Sequence, residues 1–131
     1  MKYLLDVNVL LALAHQNHSE HLKVSNWFRD ASGIAKVFLT CSITELGFVR
    51  VSVQAGLEAN IIEAMETLRE LKKSSKVSFT ILADDIGCDR VPSYVKLPSS
   101  LTDGHLLDLA NKVGAKLVTL DKGIPGALLV T

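Results

Sequence analysis

The sequence predicts an α/β fold for this chain of 131 residues, with a parallel sheet flanked by helices. The prediction rests on an alternation along the chain. Short apolar runs rich in β-forming residues are separated by longer segments whose apolar residues recur at helical spacing. No internal repeat, low-complexity tract or Pro/Gly/Ser-rich linker interrupts this alternation. Because the length is also typical of one domain, we expect a single domain over residues 1–131.

The short apolar runs are predicted to be strands, and the segments between them helices. The five predicted strands are Lys2–Leu5, Lys36–Thr40, Val77–Leu82, Lys116–Leu120 and Leu128–Thr131. A short helix is expected over Val7–Ala14, and longer helices after the capping residues Ser19, Ser42, Asn60 and Thr102. Gly33, Gly56 and Gly114 stand where the first, second and last of these longer helices should end. The stretch from Ala83 to Ser100, which contains two prolines, is predicted to be a surface loop.

The composition excludes several classes of protein. Hydrophobic residues make up 48% of the chain, which excludes a disordered protein and suggests that a partner covers part of the surface. Fourteen basic side chains balance fourteen acidic ones, which excludes a strongly basic nucleic-acid-binding protein. Cys41 and Cys88 lie far apart and indicate no disulfide framework. Asp6 and Asn8 interrupt the apolar N-terminal segment, so we expect a cytoplasmic protein with no signal peptide or membrane span.

Four acidic residues fall at one edge of the predicted sheet. Asp6 ends the first strand and Asp121 follows the fourth, while Glu45 and Asp103 lie in the first turns of helices. The carboxyl ends of parallel strands and the N-termini of the connecting helices gather at the same edge, where ligands bind. Each acid taken alone could also be a helix cap or a turn residue. Together they predict a functional site.

Four carboxylates gathered at one edge of the predicted sheet indicate a bound cation that offsets their repulsion. Each pair would repel by about 3 kcal/mol at ~5 Å with an effective dielectric constant of ~20. Oxygen ligands without His or Cys select Mg²⁺ or Mn²⁺, and Asn8 and Thr119 can support the site with neutral oxygens. Setting the four acids aside leaves ten acidic side chains against fourteen basic ones, a charge of +4 that suits a phosphodiester substrate.

Four segments together resemble the motifs of PIN domains. They are Leu4–Leu10, Thr44–Arg50, Thr102–Ala110 and Val118–Asp121. Within that superfamily the chain is most similar to the VapC toxins of bacterial toxin–antitoxin pairs, and the resemblance runs from residue 2 to the end. The resemblance implies a sheet with strand order 3-2-1-4-5. It also implies an endoribonuclease that depends on Mg²⁺ or Mn²⁺ and acts on RNA. Such a protein is expected to form a homodimer and to be inhibited by a small cognate antitoxin. The resemblance further implies that the catalytic and metal-binding residues are Asp6, Glu45, Asp103 and Asp121.

Several other side chains have weaker claims to a function. Arg50 and His105 are candidate RNA contacts. The remaining polar groups of interest are expected to be solvated, namely His15, His18, His21, Lys72, Lys73, Lys76 and the acids Asp84, Asp85 and Asp89. Two other functions stay open at this point, a phosphate-transfer domain of the phosphatase or receiver type and a non-catalytic PIN-like binding module. Asn8 counts against a phosphatase, because it stands where that chemistry needs a second acid.

Overall fold

The computed structural model describes residues 1–35 and 37–131 and confirms the α/β prediction. The strands are β1 (Lys2–Leu5), β2 (Val37–Cys41), β3 (Ser78–Leu82), β4 (Lys116–Thr119) and β5 (Leu128–Leu129). The helices are α1 (Val7–Ala14), α2 (His21–Ala31), α3 (Ser42–Gln54), α4 (Ile61–Ser74) and α5 (Leu101–Lys112). Two short 3₁₀ turns, Cys88–Arg90 and Pro98–Ser100, lie between β3 and α5.

The five strands form one parallel sheet in the order β3-β2-β1-β4-β5, as the resemblance implied. The central strand β1 pairs with β2 through Tyr3 and Phe38, and with β4 through Leu4 and Leu117. All of these residues are buried, as expected for a parallel sheet that is covered on both faces. The carboxyl ends of all five strands therefore lie along one edge of the sheet.

Apolar side chains pack on both faces of this sheet. Successive residues of a strand point to opposite faces, so Leu5 joins one core cluster with helices α1 to α4, while Leu4 joins the other with α5. Trp27 and Phe28 are partly buried and pack around Phe38, with ring centroids 6.1 and 4.6 Å away. In the described ranges, no helix combines the length and apolar character needed to cross a membrane.

The strand boundaries differ from the prediction by one or two residues. β2 continues through Cys41, and Lys36 lies outside the described residues. β3 begins at Ser78 rather than Val77. β4 ends at Thr119 because the backbone N–H of Leu120 leaves the sheet and donates to the Asn8 side chain. β5 is shorter than predicted, since it comprises only Leu128–Leu129.

The sequence predicted the presence of the helices correctly, but it predicted the residues at which they begin less accurately. Asn60 caps α4 as expected, accepting a hydrogen bond from the backbone N–H of Glu63 at 2.8 Å. The other three predicted caps were wrong by one or two positions. α2 follows Glu20 rather than Ser19, α3 follows Cys41, and α5 follows Ser100 rather than Thr102. Gly56 and Gly114 follow the ends of α3 and α5 with φ of 75° and 71°, a backbone conformation that glycine adopts without strain.

Candidate active site

Asp6 connects the end of β1 to the start of α1. One of its carboxylate oxygens accepts a hydrogen bond from the backbone N–H of Val7, and the other accepts one from the Thr119 hydroxyl, both at 2.8 Å. The side chain is thus a helix cap, as the alternative interpretation held, and part of a longer network as well. Burial raises the pKa of Asp6 above its ordinary value of 3.8, and the charge of Asp121 adds to that rise, against the two hydrogen bonds. Burial in this fold therefore disfavours the ionised form of Asp6.

Thr119 and Asn8 connect the end of β4 to α1. The Thr119 hydroxyl is buried, donates to Asp6 and accepts the backbone N–H of Asp121 at 3.0 Å. The Asn8 amide contacts the same hydroxyl at 3.4 Å and accepts the backbone N–H of Leu120 at 3.1 Å. Their polar atoms are thus engaged within the protein. This arrangement suits residues that orient Asp6 and Asp121 better than it suits direct ligands.

Asp103 and Asp121 complete a group of three carboxyls with Asp6. Asp103 lies in the first turn of α5, and its pKa is raised from 3.8 to about 6 by burial, by the charges of Asp6 and Asp121, and by a side-chain hydrogen bond with Asp121. Asp121 is exposed and accepts the backbone N–H of Gly123 at 2.8 Å. This hydrogen bond makes it a turn residue, as the alternative interpretation of this acid held. Three segments distant in sequence therefore bring their acids into one electrostatically coupled cluster.

Glu45 makes different contacts from the three aspartates. Its Oε2 atom accepts hydrogen bonds from the Thr40 hydroxyl and from the Lys72 ammonium group. Glu45 is not the capping-box residue of α3, because Thr44 occupies that position and accepts the backbone N–H of Cys41 at 3.0 Å. The prediction that Lys72 is merely solvated is also wrong, since this ion pair is only partly exposed.

Tyr94 is a residue at this site that the sequence reasoning missed. Its hydroxyl is buried and, among the described residues, has no hydrogen-bond partner. The pKa of Tyr94 is raised above 10.0 by burial and then by the charges of Asp103, Asp121 and Asp6. A signal for it exists in the sequence: Gly104 follows Asp103 inside a helix, where glycine costs about 1 kcal/mol and indicates a close approach by another segment.

The segment between β3 and α5 is an irregular and mostly exposed loop, as predicted, but its residue Asp84 is not solvated. Asp84 accepts a hydrogen bond from the backbone N–H of Ile86 at 3.2 Å, and its other oxygen lies 2.5 Å from Nε2 of His105. Both side chains of this pair are largely buried. Asp85 is exposed as expected. The pair borders a cavity of about 300 Å³ that also includes Ile43 and Cys88.

The remaining predicted side chains lie apart from the carboxyl cluster. Arg50 is exposed on α3 and borders an apolar cavity of about 500 Å³. The prediction of solvation is wrong for His15, which is buried with its ring nitrogens 2.9 Å from the Leu11 carbonyl and 2.8 Å from a carboxylate oxygen of Glu58. His15 thus holds α1 to the turn between α3 and α4.

The donor atoms of the cluster suit a hard cation. Asp6, Asp103 and Asp121 supply only oxygen, and Asp6 and Asp103 carry raised pKa values because burial and then like charges oppose ionisation. Within residues 1–35 and 37–131, no three His, Cys, Asp or Glu side chains already stand in the arrangement of a metal site. Donors that are all oxygen are nevertheless of the kind that Mg²⁺ or Mn²⁺ prefers.

Comparisons with known proteins give the family. No protein-family model matches the chain. Ribonuclease VapC38 of Mycobacterium tuberculosis is 39% identical over 92% of this chain and 86% of that protein. Ribonucleases VapC39 and VapC44 of the same species are 33% and 32% identical, and the matches span 95% and 97% of this chain and 91% and 94% of those proteins.

Two solved structures share the fold. The M. tuberculosis toxin VapC20, described as cleaving the sarcin–ricin loop, has a TM-score of 0.63 and 12% identity over 93% of this chain and 92% of that one. PAE2754 from Pyrobaculum aerophilum has a TM-score of 0.64 and 22% identity over 99% of this chain and 90% of that one. Because relatives at 32–39% identity span nearly its whole length, the chain belongs to the VapC family of ribonucleases.

Proposed function

We propose that this protein is a metal-dependent endoribonuclease and the toxin of a type II toxin–antitoxin pair. The observation that carries the metal-dependent chemistry is the group of three coupled carboxyls, two of which have raised pKa values. Membership of a ribonuclease family supports RNA as the substrate, and we place the protein in the cytoplasm with that substrate. Membership of this family gives no support to the two alternative functions, a phosphate-transfer domain and a non-catalytic binding module.

The residues that would hold Mg²⁺ or Mn²⁺ are Asp6, Asp103 and Asp121, with Glu45 as the fourth acid. A bound divalent cation lowers the pKa of a water molecule and neutralises the charge that develops on a transferring phosphoryl group. The protein's own contribution is orientation. Thr119 holds Asp6 by one hydrogen bond and the Asp121 backbone by another, so two of the acids share one support.

We also propose that a cognate antitoxin and a second copy of the chain cover apolar surface on α3 and α4. Leu46 on α3 is 68% exposed and Ile62 on α4 is 75% exposed, and Ile61 and Met65 on α4 are exposed as well. Burial of such side chains is worth about 1.5–3 kcal/mol each. Large exposed apolar residues on neighbouring helices are typical of protein interaction sites. Co-purification with the product of an adjacent reading frame, and loss of RNA cleavage in that complex, are the expected results.

The experiment that tests the nuclease is a time course of purified protein on total cellular RNA. Cleavage is expected with Mn²⁺ and not with EDTA, and the Asp6→Asn variant is expected to be inactive. The products should carry 5′-phosphate and 3′-hydroxyl ends, because hydrolysis by water leaves no reacting role for the ribose 2′-hydroxyl. Products with 2′,3′-cyclic phosphate ends that form in EDTA would show that the carboxylates are not the catalytic centre.

A further inference from the structure

The cavity of about 300 Å³ that the Asp84–His105 pair borders lies beside two of the candidate acids. Thr102 lines this cavity and directly precedes Asp103, so the Cα atoms of these two residues are about 3.8 Å apart. Ile43 lines it from the first turn of α3, two residues before Glu45. A molecule held by the acids is therefore close enough to extend into the cavity.

The walls of this cavity are mainly apolar, with one polar pair among them. Ile43, Ile86, Val91 and Leu101 supply apolar surface, and Asp84 and His105 supply the polar pair. Sites for small ligands are typically apolar clefts with a few placed polar groups, and their volumes begin at about 300 Å³. A phosphate group would meet apolar walls and the Asp84 carboxylate here. A nucleobase, with its apolar faces and polar edge, matches both kinds of wall.

Asp84 fixes the ring of His105 in this cavity. One carboxylate oxygen of Asp84 lies 2.5 Å from Nε2 of His105, and the other accepts the backbone N–H of Ile86 at 3.2 Å. A carboxylate has no proton to donate, so Nε2 carries the ring hydrogen and the neutral ring offers Nδ1 as an acceptor. Among the described residues Nδ1 makes no hydrogen bond, and unlike the Tyr94 hydroxyl it is not sealed from solvent. Every nucleobase carries an N–H donor on its Watson–Crick edge, the edge by which proteins recognise unstacked bases.

The loop that forms the outer wall of the cavity is tethered to α5. Nη2 of Arg90 lies 3.4 Å from Oδ1 of Asp108, which stands three residues after His105 and so on the same side of the helix. The structure thus shows the cavity already formed between the loop and α5. A ligand that enters a formed cavity avoids the cost of ordering its walls.

We propose that this cavity binds the nucleobase of one of the two nucleotides that flank the scissile phosphodiester, with His105 as its polar contact and Asp84 as the residue that positions His105. This inference rests on the proposed function and adds a base-recognition site to it. Ribonucleases that recognise single-stranded RNA do so through bases that leave the stack and pack against protein side chains. The cavity offers such a place next to the acids that would hold the phosphate.

The native thiol of Cys88 can report whether the cavity is filled. Cys88 is exposed and lines the cavity, whereas Cys41 is buried, so an aromatic disulfide reagent should react with Cys88 and not with Cys41. The reaction is timed with the Asp6→Asn variant in Mn²⁺, which is expected not to cleave, and with an RNA oligonucleotide that has one cleavage site. At about ten times its Kd the oligonucleotide should slow the reaction by about 10-fold, since only about a tenth of the protein is then free. An oligonucleotide with an abasic nucleotide at the recognised position, at the same occupancy, should not slow it.

Cleavage by the wild type should depend on the same base. An abasic nucleotide at one of the two flanking positions should lower kcat/KM by about 10- to 100-fold, the range for a lost stacked base. Wild type that carries the aromatic adduct on Cys88 should cleave the normal substrate with a similar loss and should lose no more on the abasic substrate. Dithiothreitol, which removes the adduct, should restore the original rates.

Substitutions of the polar pair test the hydrogen bond. His105→Phe keeps an aromatic ring and removes Nδ1, so kcat/KM should fall by about 3- to 10-fold on the normal substrate and stay unchanged on the abasic one. Asp84→Ala should give the same pattern, because the ring is no longer oriented. Asp85→Ala is the matched control, since Asp85 ties the same loop to Lys112 of α5 without lining the cavity, and it should keep both wild-type rates.

Two kinds of result would overturn the inference and leave the nuclease in place. One is a rate of reaction at Cys88 that the RNA does not slow. The other is the absence of a base effect, seen either as abasic substrates cleaved as fast as the normal one at both positions or as equal losses on normal and abasic RNA in His105→Phe. Equal losses together with a lower melting temperature would show a structural role for His105. A wild type that cleaves no RNA in Mn²⁺ refutes the proposed function and, with it, this inference.

Discussion

The ammonium group of Lys72 pairs with the carboxylate of Glu45 and connects the last turn of α4 to the first turn of α3. The Thr40 hydroxyl donates to the same carboxylate oxygen. Among the four candidate acids, Glu45 is therefore the one to which the described part of the chain supplies a counter-charge. A divalent cation that used this oxygen would compete with Lys72 for it.

Replacing Lys72 with Met should make the protein more dependent on a divalent cation. The pair is partly exposed, so its loss should lower the free energy of unfolding by only about 1 kcal/mol in EDTA. Mn²⁺ should then raise the melting temperature of Lys72→Met by more than it raises that of the wild type, because the cation takes over the counter-charge. Lys73→Met, at the exposed neighbouring position, is the control. Equal Mn²⁺ responses in all three proteins would contradict this prediction.

Replacing Asp121 with Asn should separate catalysis from stability. The amide oxygen of Asn can still accept the backbone N–H of Gly123, so the turn is kept while a repelling charge is lost. We expect the melting temperature to stay or rise. RNA cleavage should fall by about 100-fold or more, since even groups that only support metal ligands contribute about 10–100-fold.

Asp85→Asn, at an exposed carboxylate outside the cluster, should leave the cleavage rate unchanged. A large drop in the melting temperature of Asp121→Asn would instead favour a purely structural role for Asp121.

Stability without metal should decrease as the pH rises toward 6. Asp103 titrates near its ordinary value of 3.8 in the unfolded chain and at about 6 in the native protein, so between these values the native state holds a proton that the unfolded state has lost. Stability falls with pH wherever the native state binds more protons. The raised pKa of Asp6 acts in the same direction. Denaturant unfolding in EDTA at about pH 4.5 and about pH 7 measures the effect, which Asp103→Asn should reduce.

Cleavage should show the opposite pH dependence. The Asp103 carboxylate must lose its proton before it can ligate a cation, so Mn²⁺-dependent cleavage should increase as the pH passes through about 6. Cleavage that is constant from about pH 5 to about pH 8 would show that Asp103 does not ligate the cation in the rate-determining state.

Adding a methyl group at Gly104 should displace the turn that carries Tyr94. The new Cβ would lie 2.4 Å from Val95 Cγ2, and overpacking of this kind costs about 1–3 kcal/mol. We expect Gly104→Ala to lower both the melting temperature and the cleavage rate. The double variant Gly104→Ala/Val95→Ala removes the clashing atom and should recover part of both losses. If the second change gives no recovery, the defect does not arise from the contact with Val95.

The sequence was sufficient to predict the elements and the position of the acids relative to the strands. Asp6 and Asp121 follow buried strands, and such placement survives errors of one or two residues in the strand ends. The order of the strands came from the family resemblance, because apolar periodicity says nothing about which strands are neighbours. Helix caps were less predictable, since Ser42 is a favoured capping residue by type, whereas the backbone begins α3 directly after Cys41.

The contacts that the sequence could not predict are those between distant segments. Lys72 reaches Glu45 across 27 residues, and His105 reaches Asp84 across 21. Each of these residues has an ordinary local explanation, as a solvated helix end or a polar loop, and nothing in the sequence alone links the partners. Tyr94 escaped notice for the same reason. It lies in an irregular segment, and only the packing of that segment on Gly104 brings it to the acids.

The hydrogen bond between Thr119 and Asp6 has a consequence for when the site can form during synthesis. The two residues are 113 positions apart, and Thr119 is itself bonded through its carbonyl to the backbone N–H of Val130. At about 5–20 residues per second, the ribosome reaches Thr119 about 6–23 seconds after Asp6. A nascent chain therefore carries an incomplete acid cluster until Thr119 and Val130 have been synthesised, and nuclease competence cannot arise before then.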